Sequence, residues 1–357
     1  MNGNKGDWSE IYALLKLLGD KKVFAGDANL NKIESLFYPI IKIIREESGG
    51  NFEYEIDGDI VMVSGDKETL HVPVKTFSSE AFKLLKEIKN ANGVFSIPET
   101  EAFMNSIYCT SLKGNSSSKT DIRIVIHDQV INQSADLGFS IKSQLGSNST
   151  LLNAGKTTNF VFKVNNIHFS YSDILRINSI EGKRKIMDRL LQIKNEGGYF
   201  SFQTLEQNIF KNNLVLIDSL LPNILSEMVF LFYTSNLNTI KDLCTEVDNR
   251  NPLNYDNQFS HNYYNYKIKR FLTDVALGMM PSKVWTGKYD ATGGYLIVKS
   301  DGDVLCYHVY NRNKFEDYLF DNTKLETASS SRHEFGELYS INGEFYFKLN
   351  LQIRFIS

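Results

Sequence analysis

Thr120-Asp121-Ile122-Arg123-Ile124-Val125-Ile126-His127 and Leu137-Gly138-Phe139-Ser140-Ile141-Lys142 are the two stretches on which the fold turns. Both carry alternating or continuous apolar, often β-branched residues, so both read as strands. An acid heads the first, and a lysine stands 21 residues later in the second. If the strands pair, Asp121 and Lys142 meet at one end of a sheet. Ser140, Lys142 and Gln144 then share a face, because strand side chains alternate with period two. A carboxylate to hold a hard divalent cation and an ammonium to orient water or offset charge on a phosphate are what metal-dependent phosphodiester hydrolysis needs. The bare spacing also arises by chance in α/β proteins.

Outward from this pair, the chain divides. Trp8, Ile11, Tyr12, Leu15 and Leu18 recur at helical spacing and Gly19 offers a stop. A second helix is expected over Leu30 to Glu46, with Pro39 as a kink, and a third over Ser79 to Ala91, ended by Asn92-Gly93. Between them Phe52 to Ile56 and Ile60 to Val63 flank Asp57-Gly58-Asp59 as a hairpin. The polar run Lys113-Gly114-Asn115-Ser116-Ser117-Ser118-Lys119 marks a subdomain boundary. Beyond the two key strands, a strand is expected over Asn159 to Val164 and helices over Glu181 to Glu196 and Ile217 to Tyr233. The Tyr- and Asn-rich stretch Asn251 to Tyr266 reads as a long loop or insertion. After Pro281 the pattern turns to β, at Gly294 to Lys299, Asp303 to Tyr310 and Glu344 to Phe355. This gives an α/β fold with a helical N-terminal region (1–112), a core (113–250) and a β-rich C-terminal region (251–357).

Composition narrows the function less than the motifs do. The 357 residues suffice for a large core, and 39 Lys plus Arg against 42 Asp plus Glu leave a net charge of −3. No global basic field exists, so a nucleic-acid partner must be met by a local cluster. Cys109, Cys244 and Cys306 lie far apart without metal spacing, which fits a reduced, cytoplasmic setting. The N-terminus lacks the apolar run of a signal peptide, and the most apolar window, Leu214 to Tyr233, carries Asp218, Pro222 and Glu227, which suits a buried helix and not a membrane span. The six histidines form no paired metal spacing, and no GxxxxGK[ST] or GxSxG run occurs.

Several segments could meet DNA. Gly146-Ser147-Asn148-Ser149-Thr150 follows the lysine strand as a phosphate-receiving loop or a plain connector. From Tyr263 to Lys288 the bases Lys267, Lys269, Arg270, Lys283 and Lys288 face one acid, Asp274, giving a local charge of +4 interleaved with Tyr263, Tyr264, Tyr266 and Trp285. A solvated helix face would look the same. Arg reads guanine, and Asn or Gln reads adenine, through paired donors and acceptors. On loops flanking the tail's strands, Asn311, Arg312, Asn313, Arg332 and His333 could do this, with Arg312 and Arg332 the specificity candidates.

Lys5-Gly6-Asp7-Trp8-Ser9-Glu10-Ile11-Tyr12, Phe139 to Ser147, Ser149-Thr150-Leu151-Leu152-Asn153-Ala154, Tyr307 to Asn313 and Ser331-Arg332-His333 together resemble the HpaII-type restriction endonucleases. That family is grouped with the PD-(D/E)XK nucleases. The resemblance implies a restriction-endonuclease-like mixed sheet flanked by helices, Mg2+ as cofactor, and cleavage of double-stranded DNA at a short palindrome, CCGG. It implies Asp121 as first motif acid and Lys142 as motif lysine, and adds Ser147, Ser149, Asn153 and Ser331 to the DNA-facing candidates. A partner cytosine methyltransferase in the same system and a two-fold dimer are further expectations. Ser140 departs from the superfamily pattern, where a second acid stands. Glu10, on the first helix, is the candidate to replace it as metal ligand, against its reading as a surface glutamate near a helix N-terminus. Gln144 either contacts water or metal or caps the strand. Loss of the second acid also leaves open a sequence-specific DNA-binding protein without catalysis on the same fold.

Overall fold

Asn4 opens the first helix: its side chain accepts the N–H groups of Gly6 and Asp7, while the Asp7 carboxylate takes the N–H of Asn4. The computed structural model describes residues 1–47, 50–113, 120–128 and 132–356. The chain begins with α1 (Lys5–Asp20), β1 (Lys22–Gly26), β2 (Lys32–Glu47), β3 (Gly50–Asp57), β4 (Ile60–Ser64), β5 (Leu70–Pro73), α2 (Val74–Asn90) and α3 (Pro98–Ser106). It continues with β6 (Ile122–Asp128), β7 (Gln133–Ser143), β8 (Thr150–Leu152), β9 (Asn159–Asn165), α4 (Tyr171–Asn178), α5 (Lys185–Asn195), β10 (Tyr199–Leu205), α6 (Asn208–Ile217), α7 (Leu221–Thr234) and α8 (Ile240–Arg250). The remainder is α9 (Tyr263–Leu277), β11 (Gly294–Val298), β12 (Val304–His308), α10 (Arg312–Asp321), β13 (Thr323–Leu325), α11 (Ser330–His333), β14 (Leu338–Ile341), β15 (Glu344–Asn350) and β16 (Ile353–Phe355).

The main sheet has the order β1-β12-β11-β7-β6-β2-β3-β4-β5, and it is mixed: β1 with β12 and β11 with β7 are parallel, the other pairs antiparallel. The long β2 pairs through its first half with β1 and through its second with β6 and β3. Strands β1, β12, β11, β7, β6 and β2 therefore close a circuit. Smaller sheets, β10-β9-β15-β14 and β13-β16-β8, lie beside it.

Two apolar cores result. One joins α1, α2 and one face of the main sheet, with Trp8, Ile11, Leu15, Phe77, Ile124 and Phe139 all fully buried. The other joins β9, α7, α9 and the tail. Strands β11 and β12 serve both, because alternation sends Leu296, Val298 and Cys306 to the first core and Tyr295, Ile297, Leu305 and Tyr307 to the second. Each fully buried side chain of this size contributes about 1.5–3 kcal/mol relative to exposure.

The expected first helix, the hairpin of β3 and β4, and the strands β6, β7 and β9 are present. The expected helix over Leu30 to Glu46 is instead β2. Ile33, Phe37, Ile40, Ile41 and Ile44 do recur at helical spacing, but five isoleucines, aromatics and Pro39 suit an extended chain. A register shift between Ile40 and Lys42 breaks the period-two alternation that would have revealed it. Helix α2 starts at Val74, so Ser78-Ser79-Glu80 lie inside it. Gly19 is not the stop of α1, which is capped after Asp20 by Lys21 with φ 59°; a Cβ on Gly19 would meet Ser78 Oγ at 2.5 Å, so the glycine admits α2. The boundary run at 114–119 lies outside the described residues. Residues 251–262 form the expected loop, but Tyr263 begins α9. The C-terminal region is β-rich yet carries α9, α10 and α11. Among the described residues no single helix is long and apolar enough to cross a membrane; α6 and α7, spanning the most apolar window, meet at 112°.

Candidate active site

Strand β6 gives out at Ile122, whose partner on β7 is Phe139, and the Asp121 N–H still reaches the Phe139 carbonyl at 2.9 Å. Beyond it β7 runs on with only β11 beside it, Ser140 opposite Tyr295 and Lys142 opposite Ile297. The Asp121 carboxylate occupies the place a β6 carbonyl would take, accepting the Ile141 N–H on Oδ2 at 2.7 Å. Ser140 Oγ donates to the same oxygen at 3.0 Å, and Lys142 Nζ donates to Ser140 Oγ at 2.9 Å. The Ser140 hydroxyl, 2 % exposed, thus links carboxylate to ammonium. Lys142 Nζ also lies 5.2 Å over the Tyr295 ring.

Burial pushes the Lys142 ammonium below the ordinary lysine value, opposed by the charges of Asp121 and Glu10. Glu10 is therefore in the field of this pair. Its helix is pinned to the strand by Ser9 Oγ, 2.7 Å from Ser143 Oγ in a buried contact. A cleft of about 380 Å³ opens beside Asp121, lined also by Thr120, Arg123, Asp136 and Thr292. No group of three or more His, Cys, Asp or Glu arranged for a metal occurs among the described residues. Asp121 brings carboxylate oxygens to the sheet end, which suits a hard divalent cation that keeps waters and takes further ligands from phosphate.

The other predicted residues are spread out. Gln144 Oε1 accepts the Ser300 N–H at 3.4 Å, which ties it to the turn after β11. Ser149 Oγ donates to the Ser143 carbonyl at 3.3 Å, and Ser147 and Asn153 are exposed. The loop of Ser147 and Ser149 borders a cleft of about 740 Å³ with Lys5 and Arg354. The expected +4 run is largely balanced: Lys267 pairs with Asp218, Lys269 with Asp317, and Arg270 with Asp274 at 3.4 Å. Lys283 and Lys288 are exposed on the following loop. Arg312 is not on a loop but opens α10 and pairs with Glu316 at 2.6 Å; Asn311 Nδ2 donates to the Tyr38 hydroxyl at 3.0 Å, and Asn313 is exposed. Ser331 and Arg332 are exposed on the single turn α11, and the His333 carbonyl accepts from Asn159. His127 sits on β6, its Nδ1 3.3 Å from Ser134 Oγ. Sequence reasoning missed Ser9, Ser143 and Tyr295 as neighbours of the site; only the polar residues at strand and helix ends hinted at them.

The HpaII restriction endonuclease family model matches residues 4–355. The chain belongs to that family. It is 49% identical over 359 residues to the type II restriction enzyme HpaII of Haemophilus parainfluenzae, covering 99% of each chain. No solved structure matches it. As a member of the HpaII restriction endonuclease family it is a type II restriction enzyme, a site-specific deoxyribonuclease. Enzymes of this class act on DNA and generally need a divalent metal ion.

Proposed function

We propose that this enzyme cuts both strands of CCGG with Mg2+, using Asp121, Glu10, Ser140 and Lys142. The observation that carries the reading is the hydrogen-bonded run Asp121, Ser140, Lys142 at the end of the main sheet. The sheet end is read as a restriction-endonuclease-like core. When bound, Mg2+ lowers the pKa of a water and offsets charge on the phosphate. Asp121 and Glu10 would hold it through carboxylate oxygens. Ser140, in place of the second acid, fixes the Asp121 carboxylate by donating to it and keeps the Lys142 ammonium alongside. Lys142 orients the attacking water, whose oxygen bonds to phosphorus as one P–O ester bond breaks and the leaving oxygen takes a proton. Gln144 steadies the strand end.

In this reading residues 1–112 lend Glu10, 113–250 supply Asp121 and Lys142, and 251–357 read bases, chiefly through Arg312 and Arg332. Ser147, Ser149, Asn153, Lys288, Asn313, Ser331 and His333 contact the duplex around them, while Lys267, Lys269 and Arg270, held by Asp218, Asp317 and Asp274, are left out. The palindromic target favours a homodimer, the cytoplasm is the working compartment, and a cytosine methyltransferase protects the host's own sites. Incubation of plasmid and of CCGG duplex with the wild type and Asp121→Asn, with and without Mg2+, tests it. Cutting at CCGG in Mg2+ by the wild type alone supports the assignment. A gel shift on CCGG duplex in Ca2+ with no cutting in Mg2+ would overturn it.

A further inference from the structure

Lys183, Arg184 and Arg332 are exposed, and none of the three is in an ion pair among the described residues. The fold gathers them. A cleft of about 460 Å³ is lined from one segment by Lys183, Arg184 and Lys185 and from another, far along the chain, by Ser329, Ser330 and Ser331. Arg332 follows directly on the same turn, α11. The two segments are locked together by Arg189, which is 1% exposed. On the lysine side its Nε donates to the Ile180 carbonyl at 3.2 Å and its Nη2 to the Asn178 carbonyl; on the serine side its Nη1 donates to the Gly336 carbonyl at 2.7 Å. A Cβ on Gly336 would meet Ile186 Cγ1 at 2.8 Å, so the segments also touch there. Ser329 Oγ accepts the Arg332 N–H at 3.4 Å and steadies the turn. Burying a guanidinium is costly, and here its N–H groups go to carbonyls that fix both sides of an open cleft.

We propose that this cleft receives a backbone phosphate of the DNA duplex, with Lys183 and Arg184 supplying the charge and the hydroxyls of Ser329, Ser330 and Ser331 supplying further donors. The inference rests on DNA as the substrate, and not on the assignment of Asp121 and Lys142 or on the target CCGG. Charge selects the ligand. The chain as a whole is at −3, so attraction to a polyanion must come from local cations that acids have not cancelled. Lys267, Lys269 and Arg270 fail that condition, since each has its acid. Lys183 and Arg184 meet it: Glu181 is taken up by Lys185 at 3.0 Å and Arg189 at 3.6 Å, and Asp188 does not line the cleft. Lysine, arginine and serine side chains are the groups that bind phosphate oxygens along a duplex. Because Arg189 holds both sides in place, little backbone needs ordering when the phosphate enters. Such a contact carries no sequence information, but it fixes the register at which the neighbouring Arg332 meets the duplex.

The test is binding in Ca2+ over a range of salt, on a CCGG duplex and on a duplex of scrambled sequence, by the full-length chain. The wild type is set beside Lys183→Ala with Arg184→Ala, the charge-keeping Lys183→Arg with Arg184→Lys, and Lys75→Ala. Lys75 is exposed at the start of α2, beside the outermost strand β5, and serves as the control for net charge. The double alanine variant should bind both duplexes about tenfold more weakly, with a logarithmic salt slope smaller by about 0.9, the value of one phosphate. The charge-keeping variant should stay close to wild type. Single uncharged methylphosphonates placed along the duplex should include one that weakens the wild type and not the double alanine variant. Unchanged affinity and slope overturn the inference. So does an equal change in Lys75→Ala, which would mean net charge alone; a loss confined to the CCGG duplex, which would mean base reading; or equal weakness in the charge-keeping variant, which would mean packing. A wrong target or catalytic centre would show in the cleavage assay and leave the binding on either duplex readable.

Discussion

At the scale of single residues, Ser140 decides how the site is described. Its hydroxyl donates to Asp121 and accepts from Lys142, so in the proposed site a neutral connector stands between carboxylate and ammonium. The alternation of β7 put Ser140 and Lys142 on one face in the sequence, but the near-complete burial of Ser140 depends on β11, more than 150 residues away, and was not legible. Lys142→Ala should leave folding and specific binding close to wild type while single-turnover cleavage falls by two to three orders of magnitude, roughly the cost of removing one transition-state donor; cutting within tenfold would take Lys142 out of the chemistry. Glu10→Gln keeps shape and loses charge, so the Mg2+ needed for half-maximal cutting should rise while duplex binding in Ca2+ to CCGG changes less. An unchanged Mg2+ response would return Glu10 to the helix surface. Arg332 is exposed, and if it reads guanine, Arg332→Ala should lose about 1–3 kcal/mol of discrimination at one base pair, measured against singly substituted duplexes. Equal losses on every duplex, with a smaller salt slope, would mean a phosphate contact.

At the scale of elements, β2 and the loop it clasps carry the clearest consequence. Burial alone would push the Glu47 carboxyl up, but the Arg45 charge and the hydrogen bonds from Arg45, Thr110 and Ser111 outweigh it and hold Glu47 below the ordinary value of 4.5. Its contribution to stability is therefore present above about pH 4.5 and lost as pH falls through the lower folded value. Glu47→Gln strands Arg45 and should cost roughly 3–5 kcal/mol near neutrality. Melting temperature followed from pH 6 to pH 3 should fall less steeply in the variant than in the wild type; parallel curves would deny Glu47 this role. Helix α1 and strands β6, β7 and β9 were legible because each buries one regular face or an unbroken apolar run. Strand β2 was not, since its ladder slips at Ile40 to Lys42 and its polar residues Arg45 and Glu47 face inward as a pair.

At the scale of the whole molecule, sequence windows misjudge charge because partners come from afar. Asp218 and Asp317, 49 and 48 residues from Lys267 and Lys269, neutralise much of the run that looked most suited to DNA. Both cores, by contrast, depend on the hairpin of β11 and β12, whose alternate side chains fill one core and then the other. Thermal unfolding should accordingly give one transition by calorimetry and by tryptophan fluorescence, and two resolved transitions would contradict shared burial. The same hairpin makes the stretch between α9 and β11 a seam at which the gene could be divided. A piece ending before residue 290 would keep Asp121, Ser140 and Lys142 but present β7 with a bare edge, and the other piece would carry strands with no sheet to join.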